Sequence, residues 1–283
     1  MEKIKKGVLY LVSTPLGNLG DITIRALEVL RNSSYIVCED TRISQKLFNA
    51  FEIKPQKKII YNDINKEKSV ERIISLIKDG NVVSQVTDAG TPLISDPGYI
   101  LVNRLIEEGL DIVPVPGVSA PIAALSASGF PGNDFYFAAF PPRSGADKFW
   151  KNMKAIKSIL IFFESPNRIL KTLEIINEIF GNISGAVCRE LTKVNEEIIR
   201  GKISEIIDHL KKKEKIRGEI TFLINNKSDK NEKTGLITEK MKEEITELKS
   251  LEFSNKEIIK ILGVFNSGKI KKNKVYSYLI KEL

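Results

Sequence analysis

The chain has 283 residues, of which 42% are hydrophobic, so we expect two domains with buried cores and an appendage rather than one ordinary core. Its formal charge of +8 favours a polyanionic partner, nucleic acid above all. A protein that uses lysine as its default surface residue would show the same balance. Cys38 and Cys188 are the two cysteines and His209 the one histidine, which disfavours zinc clusters, disulfide frameworks, histidine triads and histidine-ligated metal centres.

The first 131 residues alternate β-type runs with helical patterns. Strand patterns occupy residues 8–12, 35–38, 59–61, 82–86 and 112–115. Helical spacing occupies residues 22–30 (with Asp21 as the N-cap), 41–51, 70–78, 99–108 and 121–128. Strands that alternate with helices in this way predict a parallel sheet with helices on both faces.

A second α/β pattern follows the turn-rich residues 129–134. Its strands are predicted at residues 135–140, 159–163, 185–188 and 220–224, and its helices at 148–155, 168–180 and 203–211. Residues 225–233 have no apolar side chain and predict a linker. The sequence therefore predicts a domain at 1–131, a second at 132–228, and a linker with a basic helical tail at 229–283.

The tail has a capped helix start at Phe253 and Ser254, a turn at residues 266–268 and a lysine-rich segment before a last helix. A short basic helix-turn-helix favours contact with RNA. A structural cap or a dimerisation helix is the alternative.

The compartment is predicted from the ends of the chain and from its apolar runs. The polar N-terminus leads directly into a strand, with no signal peptide, and no apolar stretch is long enough to span a bilayer. Cys38 and Cys188 each end an apolar run, which predicts buried thiols. We expect a soluble, cytoplasmic protein without membrane association.

Polar turns follow the strands of the first predicted domain. They comprise residues 13–21, the cluster Glu39-Asp40-Thr41-Arg42, residues 86–98 and residues 116–119. In a parallel sheet such turns meet at one edge, where α/β folds bind ligands. Because neither G-x-G-x-x-G nor a phosphate loop is present, a polar ligand other than a phosphate is favoured. Gly17 is expected to allow a close approach of the backbone, or else to form a plain tight turn.

Charged residues beside the predicted strand ends are candidates for chemistry. Asp40 beside Arg42 can order a site, bind phosphate or accept a proton from a hydroxyl, whereas an N-cap with a local ion pair is the structural alternative. The second domain repeats the pattern at residues 162–168, 188–193 and 217–220. Several such clusters in two domains suggest a cleft between them.

Six of these stretches resemble one known family. They read LYLVSTPLGNLGD at residues 9–21, CEDTR at 38–42, DAGTPLISDPG at 88–98, PGVSA at 116–120, FESP at 163–166 and RELTK at 189–193. They are similar to motifs of the tetrapyrrole methylase superfamily and, within it, of the ribosomal RNA small subunit methyltransferase I family. The resemblance extends over residues 7–225 and more loosely over the tail.

The resemblance implies an α/β fold of two mixed domains, S-adenosylmethionine in the cleft between them, a homodimer, and 2′-O-methylation of a cytidine in 16S ribosomal RNA of the small subunit. The superfamily usually has Gly-Asp-Pro where this chain has Gly90-Thr91-Pro92, a departure typical of the ribosomal RNA branch that weakens a tetrapyrrole-substrate reading. The cofactor contacts carried over by position are Leu16, Thr91, Ile94, Ser119, Ala120, Phe163, Leu191 and Ile220.

The catalytic hypothesis assigns proton acceptance to Asp40 or Glu190, and positioning of RNA phosphates to Arg42, Arg189 and Lys193. Methyl transfer of this kind needs no metal, because it depends on alignment and on a proton acceptor. A small-molecule methylase of the same fold and a noncatalytic RNA-binding protein remain open. A nucleotide hydrolase is least favoured, since the chain has neither a phosphate loop nor a metal-ligand cluster.

Overall fold

The chain divides into two compact units, Met1–Asn226 with two five-stranded sheets and Lys227–Leu283 with the helical tail. The structure is a computed structural model that describes residues 4–61, 66–227, 239–265 and 272–281. The predicted start of the tail at residue 229 lies close to this division. The predicted boundary at residue 131 falls inside the first unit and stays a prediction.

The first sheet is entirely parallel, with the strand order β3-β2-β4-β1-β5. Its strands are β1 (Val8–Val12), β2 (Tyr35–Cys38), β3 (Lys57–Ile60), β4 (Val82–Gln85) and β5 (Asp111–Val115). The apolar runs predicted these strands because a sheet covered on both faces buries the side chains of both strand faces. All five carboxyl ends therefore lie at one edge of the sheet.

Helices α1 (Ile24–Asn32) and α2 (Thr41–Ala50) cover one face of this sheet, and α3 (Lys66–Lys78) and α4 (Tyr99–Glu107) cover the other. Each helix buries residues spaced three or four apart, as an amphipathic pattern requires. The buried residues of the helices are Ala26, Val29, Leu30, Leu47, Phe48, Val70, Ile73, Ile74, Ile77, Leu101 and Leu105. The predicted helices on both faces are confirmed.

The N-cap predicted for α1 is wrong. Thr23, not Asp21, caps this helix, because its hydroxyl accepts a hydrogen bond from the Ala26 amide at 3.1 Å. Asp21 instead ends a short 3₁₀ turn, Leu19–Asp21. The sequence offered two capping residues two positions apart, and the extended backbone of Thr23 selects the second.

The second sheet is mixed, with the order β6-β7-β10-β8-β9. Its strands are β6 (Phe135–Phe137), β7 (Ile159–Glu164), β8 (Ser184–Arg189), β9 (Glu197–Lys202) and β10 (Ile220–Asn225). Only the pair of β6 and β7 is parallel, and the other three pairs are antiparallel. Since β7 and β8 both run opposite to β10, the carboxyl ends of β6, β7 and β8 lie at one edge.

The two faces of the second sheet are covered by different parts of the chain. Helices α6 (Ala146–Ala155), α7 (Ile169–Phe180) and α8 (Ile203–Lys211) enclose an aromatic core of Trp150, Phe162 and Phe222. Helix α5 (Ala120–Ser128), which precedes the predicted boundary, places Ala124 and Leu125 on the opposite face. One helix thus starts at the carboxyl edge of the first sheet and packs on the second.

Strand β9 and the end of β10 differ from the sequence predictions. Strand β9 was not predicted, because Glu197–Lys202 contains three charged residues and a glycine beside only two isoleucines. Asn225 and Asn226 were predicted to be linker, but Asn225 ends β10 and Asn226 is buried. The Asn226 amide donates to the carbonyls of Met153, Lys154 and Ile156, at 3.3, 3.0 and 2.6 Å, and so satisfies the end of α6.

The tail contains α9 (Glu239–Ser250), α10 (Asn255–Phe265) and α11 (Lys272–Lys281). Their shared core is Ile245, Ile258, Leu262, Val275 and Leu279. The predicted cap of α10 is confirmed, since the Ser254 amide donates to the Glu257 carboxylate at 2.9 Å and the Glu257 amide donates to Ser254 Oγ at 3.4 Å. The predicted turn at residues 266–268 lies outside the described residues. In the described part of the chain, none of the helices combines the length and apolarity needed to cross a membrane.

Glu197 on β9 gathers cations from three elements. Its carboxylate lies 3.0 Å from Arg189 Nε, 3.1 Å from His209 Nε2 and 2.8 Å from Lys213 Nζ. Burial alone would raise the pKa of this carboxyl, but the hydrogen bonds from Lys213, Arg189 and His209 outweigh burial and lower the pKa to about 2. His209 is thus a surface partner of Glu197, as its position near a helix end predicted.

Glu197→Gln is expected to lower the free energy of unfolding at pH 7 by about 1–2 kcal/mol, a value reduced for the partial exposure of the group. Because the folded pKa lies below its ordinary value of 4.5, this stabilisation is present above that value and lost as the pH falls toward 2. Urea unfolding followed by Trp150 fluorescence across this pH range measures it. Glu178→Gln, at an exposed position of α7, is the control, and parallel pH profiles of Glu197→Gln and the parent would contradict the prediction.

Candidate active site at the meeting edges of the two sheets

The first sheet reverses its strand order between β1 and β4, since the chain leaves β1 toward β2 and leaves β4 toward β5. Such a switch point at the carboxyl edge is where open α/β sheets bind ligands. The turn after β1 and the turn after β4 are joined there by paired backbone hydrogen bonds between Thr14 and Gly90, at 2.8 and 2.9 Å. Gly90 has a φ of +86°, which favours glycine at this bend.

A chain of hydroxyl groups connects the turns that follow β1, β4 and β5. Ser13 Oγ lies 3.1 Å from Thr91 Oγ1, which donates to the Val118 carbonyl at 2.9 Å. Ser119 and Ala120 come next, and Ser119 is the N-cap residue of α5 without a side-chain capping bond. Of the predicted cofactor contacts, the structure thus brings Thr91, Ser119 and Ala120 into one neighbourhood.

A hollow of about 210 Å³ opens beside the turn after β1. Its walls include Leu16, Thr14 and Asp88, and the Thr14 hydroxyl donates to the Thr87 carbonyl at 3.1 Å. Leu16 Cδ2 also lies 3.3 Å from where a Cβ on Gly90 would stand. Ile94, another predicted contact, is 42% exposed in the turn that follows β4.

Asp40 and Arg42 form a local structure at the start of α2. The Asp40 carboxylate accepts from the Arg42 amide at 2.8 Å and from the Arg42 guanidinium at 2.6 Å. These hydrogen bonds from Arg42 lower the pKa of Asp40 to about 2. The N-cap with a local ion pair, which the sequence left as the alternative, is therefore present, and 89% of the Arg42 side chain is exposed to an incoming ligand.

Asp88 is a candidate that the sequence predictions missed. Burial raises its pKa, while the Asp40 amide, 3.2 Å from Oδ1, opposes that shift. Burial also raises the pKa of Asp96, whose Oδ2 accepts from the Thr87 hydroxyl at 2.6 Å. Its position in the sequence could have identified it, because Asp88 follows β4 just as Asp40 follows β2. It was missed because residues 88–98 were interpreted mainly from their glycines and prolines, as turn residues.

Glu190, Lys193 and Glu219 form a compact ionic cluster at the edge of the second sheet. Lys193 Nζ lies 2.9 Å from Glu190 Oε1 and 3.0 Å from Glu219 Oε2. Glu190 Oε1 also accepts from the Glu219 amide at 2.9 Å. The hydrogen bond from Lys193, followed by that from the Glu219 amide, lowers the pKa of Glu190. Two predicted catalytic residues therefore bind one another.

The edges of the two sheets meet through this cluster. A Cβ on Gly17 would stand 2.2 Å from Lys193 Cγ, so the lysine stem lies directly over the glycine backbone. The Asn18 amide donates to Thr192 Oγ1 at 3.2 Å. On the other side, a Cβ on Gly218 would stand 2.3 Å from Glu190 Cγ. The expectation that Gly17 permits a close approach is confirmed, and the group that approaches is Lys193.

The remaining predicted residues of the second sheet have different environments. Phe163 packs its ring edge-on against Phe137, with centroids 5.0 Å apart. Leu191 packs on the core beneath α5. Ile220 is 3% exposed within the core of α6, α7 and α8, so its side chain is not accessible to a ligand. Arg189 is held by Glu197 and by the Arg217 carbonyl at 3.1 Å.

Backbone strain is concentrated in the same turns. Leu93, Ser95, Glu190 and Thr192 have φ values of 72°, 68°, 53° and 66°. Left-handed conformations of such residues cost on the order of 1 kcal/mol each. The surrounding hydrogen bonds hold these turns in conformations that the residues would not adopt alone. Such backbone strain is common in turns that bind ligands.

The residues at this edge fit S-adenosylmethionine. The hollow combines the apolar residue Leu16 with the acidic residue Asp88, which suits a molecule with both apolar and polar parts. Ser119 would add a hydroxyl that no capping bond occupies. In the described residues, no group of three or more His, Cys, Asp or Glu side chains could hold a metal ion.

Gly17→Ala should displace Lys193 from Glu190 and Glu219, because the new methyl group would overlap its stem. We expect S-adenosylmethionine affinity to fall by about tenfold or more, since small displacements of positioning groups are costly. In a Lys193→Ala background the same substitution should have little effect, and calorimetry on the four proteins of this cycle measures the coupling. Gly132→Ala, whose nearest contact would be Leu125 at 3.8 Å, is the control; equal losses from Gly17→Ala in both backgrounds would contradict the contact.

Solved structures with the same fold include two methyltransferases. The chain superposes on a cobalt precorrin-4 methyltransferase of cobalamin biosynthesis with a TM-score of 0.59 and 20% identity, over 77% of this chain and 95% of that one. It also superposes on a uroporphyrin-III C-methyltransferase from Thermus thermophilus complexed with S-adenosyl homocysteine, with a TM-score of 0.55 and 16% identity, over 76% and 96% of the two chains. At these identities the likeness shows the fold.

Sequence comparison places the chain in a family. Residues 8–207 match the family described as Tetrapyrrole (Corrin/Porphyrin) Methylases. The ribosomal RNA small subunit methyltransferase I of Rickettsia prowazekii is 49% identical over 78% of this chain and 79% of its own length. The protein of that name from Bacillus subtilis is 39% identical over 99% and 97%. The chain therefore belongs to the tetrapyrrole methylases and, among them, to the ribosomal RNA small subunit methyltransferase I family.

Proposed function

We propose that this protein transfers a methyl group from S-adenosylmethionine to the 2′-hydroxyl of a cytidine in 16S ribosomal RNA of the small subunit. The observation that carries the proposal is the meeting of the two carboxyl edges at Gly17 and Lys193, beside the strained turns of both sheets. The name of the family supports ribosomal RNA as the substrate. The neighbour complexed with S-adenosyl homocysteine supports the cofactor.

The turns of the first sheet would hold the cofactor. We assign apolar contact to Leu16 and Ile94, hydrogen bonds to Thr91 and Ser119, and close backbone approach to Ala120. When bound, S-adenosylmethionine would supply a methyl group on a positively charged sulfur. Phe163 and Leu191 would contribute apolar surface from the second sheet.

A ribose hydroxyl is a poor nucleophile, so a proton acceptor near it assists the reaction. Asp40 and Glu190 were the predicted acceptors, but each is held in an ion pair that lowers its pKa. Asp88 lines the hollow and has a raised pKa, because burial disfavours its charge. A base whose pKa lies nearer the working pH accepts a proton more readily, so we rank Asp88 above the two predicted residues.

The paired residues have positioning tasks in this proposal. Arg42, being exposed, is suited to contact an RNA phosphate. Lys193 is suited to fix the turn after β1, while its ammonium is occupied by two carboxylates. Arg189, bound to Glu197, would act by shaping the edge of β8 rather than by contacting RNA.

A homodimer and a cytoplasmic location are also proposed, as is contact of the basic tail with RNA. Two other functions make different predictions. A small-molecule methylase of this fold would methylate a porphyrinoid acceptor rather than small subunits. A noncatalytic RNA-binding protein would not bind S-adenosylmethionine.

The test is incubation with labelled S-adenosylmethionine and small subunits from a strain that lacks this methylation, followed by mapping of the labelled nucleotide. We expect label on a single cytidine whose ribose then resists alkaline cleavage. Label on a base, or transfer only to a porphyrinoid, would contradict the proposed reaction. Absence of cofactor binding by calorimetry would favour the noncatalytic alternative.

Asp88→Asn is expected to lower single-turnover methylation at saturating S-adenosylmethionine by about 100-fold, the range of a lost general base; cofactor affinity is measured separately, because Asp88 also lines the hollow. Asp40→Asn and Glu190→Gln should cost less, because their carboxylates serve structural ion pairs. Because the pKa of Asp88 is raised, the rate of the parent should fall as acidification protonates this carboxyl. If Asp88→Asn is fully active while Asp40→Asn or Glu190→Gln is not, the acceptor is one of the originally predicted residues.

A further inference from the structure

A basic pocket, lined by other residues than the candidate active site, lies between the loop that follows β6 and the first turns of α6 and α7. Its volume is about 560 Å³. Arg143, Arg168 and Lys171 line it together with Asp147, and the buried indole of Trp150 forms part of its floor. The sequence predictions assigned no task to Arg143 or Lys171, whereas Arg168 ends the charged stretch at residues 162–168.

Two of the three cations are not engaged by acids. Among the described residues, neither Arg143 nor Lys171 lies within ion-pair distance of a carboxylate, and both side chains are exposed. Asp147 is the one carboxylate among the described residues that line the pocket. The pocket therefore has an excess of positive charge, which favours an anionic ligand.

The third cation fixes the shape of the pocket. Arg168 donates to the Pro141 and Pro142 carbonyls at 3.1 and 3.2 Å and lies 3.4 Å from the Glu164 carboxylate. Glu164 is itself fully buried and accepts from the Thr172 hydroxyl at 2.8 Å. The loop after β6 is thus tied to the start of α7, so the pocket is built into the framework.

The backbone adds to the positive potential. Helix α6 begins beside Gly145 and α7 beside Arg168, and neither has a side-chain cap. The first amide groups of such helices carry partial positive charge and can donate to an anion. Both helix starts contribute residues to the pocket wall, so their effect adds to that of Arg143 and Lys171.

The position of the pocket relates it to the site. The loops after β6, β7 and β8 leave the same edge of the second sheet, and the loop after β8 carries Glu190 and Lys193. Phe140, three residues before Arg143, is 56% exposed, and its ring centroid lies 5.4 Å from that of Phe163. Proteins bind unpaired nucleotides with this combination of groups: an exposed aromatic ring stacks on a base, and a cationic pocket contacts the phosphate.

We propose that this pocket binds a backbone phosphate of single-stranded RNA next to the methylated nucleotide, with Arg143 and Lys171 as its principal ligands. The inference rests on the proposed function, since it takes ribosomal RNA as the substrate. It adds a second anchor, so that the target ribose would be aligned by contacts on either side of the transfer point.

The test compares Arg143→Ala/Lys171→Ala with the matched control Lys57→Ala/Arg72→Ala, which removes the same charges from exposed positions on β3 and α3. Binding to a single-stranded fragment of the small-subunit RNA is measured over a series of salt concentrations. On a single strand each neutralised phosphate contributes about 0.7 to the salt slope, so we expect the pocket variant, which loses one phosphate contact, to lose roughly 0.7 in slope and about tenfold in affinity. Cofactor affinity by calorimetry should match the parent in both variants.

The outcomes separate this inference from the proposed function. If the parent methylates small subunits and the pocket variant keeps the parent's salt slope and affinity, the pocket is not an RNA contact, although the proposed function stands. If the control variant loses as much as the pocket variant, the effect is one of net charge and the pocket inference fails. If inorganic phosphate stabilises the parent but not the pocket variant while the RNA slopes agree, the pocket holds a free anion. If the parent neither binds nor methylates RNA, both proposals fall.

Discussion

The close approach of Lys193 to Gly17 is the contact on which the arrangement of the site depends. A lysine stem can lie over a backbone only where no Cβ intervenes, and Gly218 allows Glu190 the same approach from the other side. Two glycines therefore let an ion pair from the second sheet be inserted against the turn that follows β1. Polar turns that each sheet would otherwise present to solvent are thereby brought to a common edge.

Charge at this edge is divided between two kinds of carboxylate. Asp40, Glu190 and Glu197 are held by cations, and their pKa values are lowered. Asp88 and Asp96 are desolvated, and their pKa values are raised. The first kind fixes loops and sheet edges in place, because an ionised carboxylate in a good pair costs energy to move. The second kind remains able to exchange a proton, so structure and chemistry need not compete for the same side chains.

Local patterns predicted the first sheet well, because buried parallel strands and amphipathic helices leave apolar runs and three-to-four spacing. They failed where a segment takes its structure from a neighbour. Strand β9 has little apolar character and is defined by pairing with β8. Strand β6 was predicted to reach residue 140 but ends at Phe137. Ala139, two residues later, has a φ of 55°, which is not a strand conformation. The contact of Lys193 with Gly17 joins residues far apart in sequence, so the glycine predicted an approach but not its partner.

Helix α5 explains how the two edges can be held in register. Its first residues, Ala120 and the capping Ser119, belong to the turn after β5, whereas Ala124 and Leu125 are buried against the second sheet. Arg200 on β9 also donates to the Ala127 carbonyl near the end of the helix. A ligand that contacts Ser119 therefore touches the start of a helix that leaves the first sheet and packs on the second. Such a helix removes independent motion of the two walls, which is the preorganisation that alignment of a methyl donor with a sugar oxygen requires.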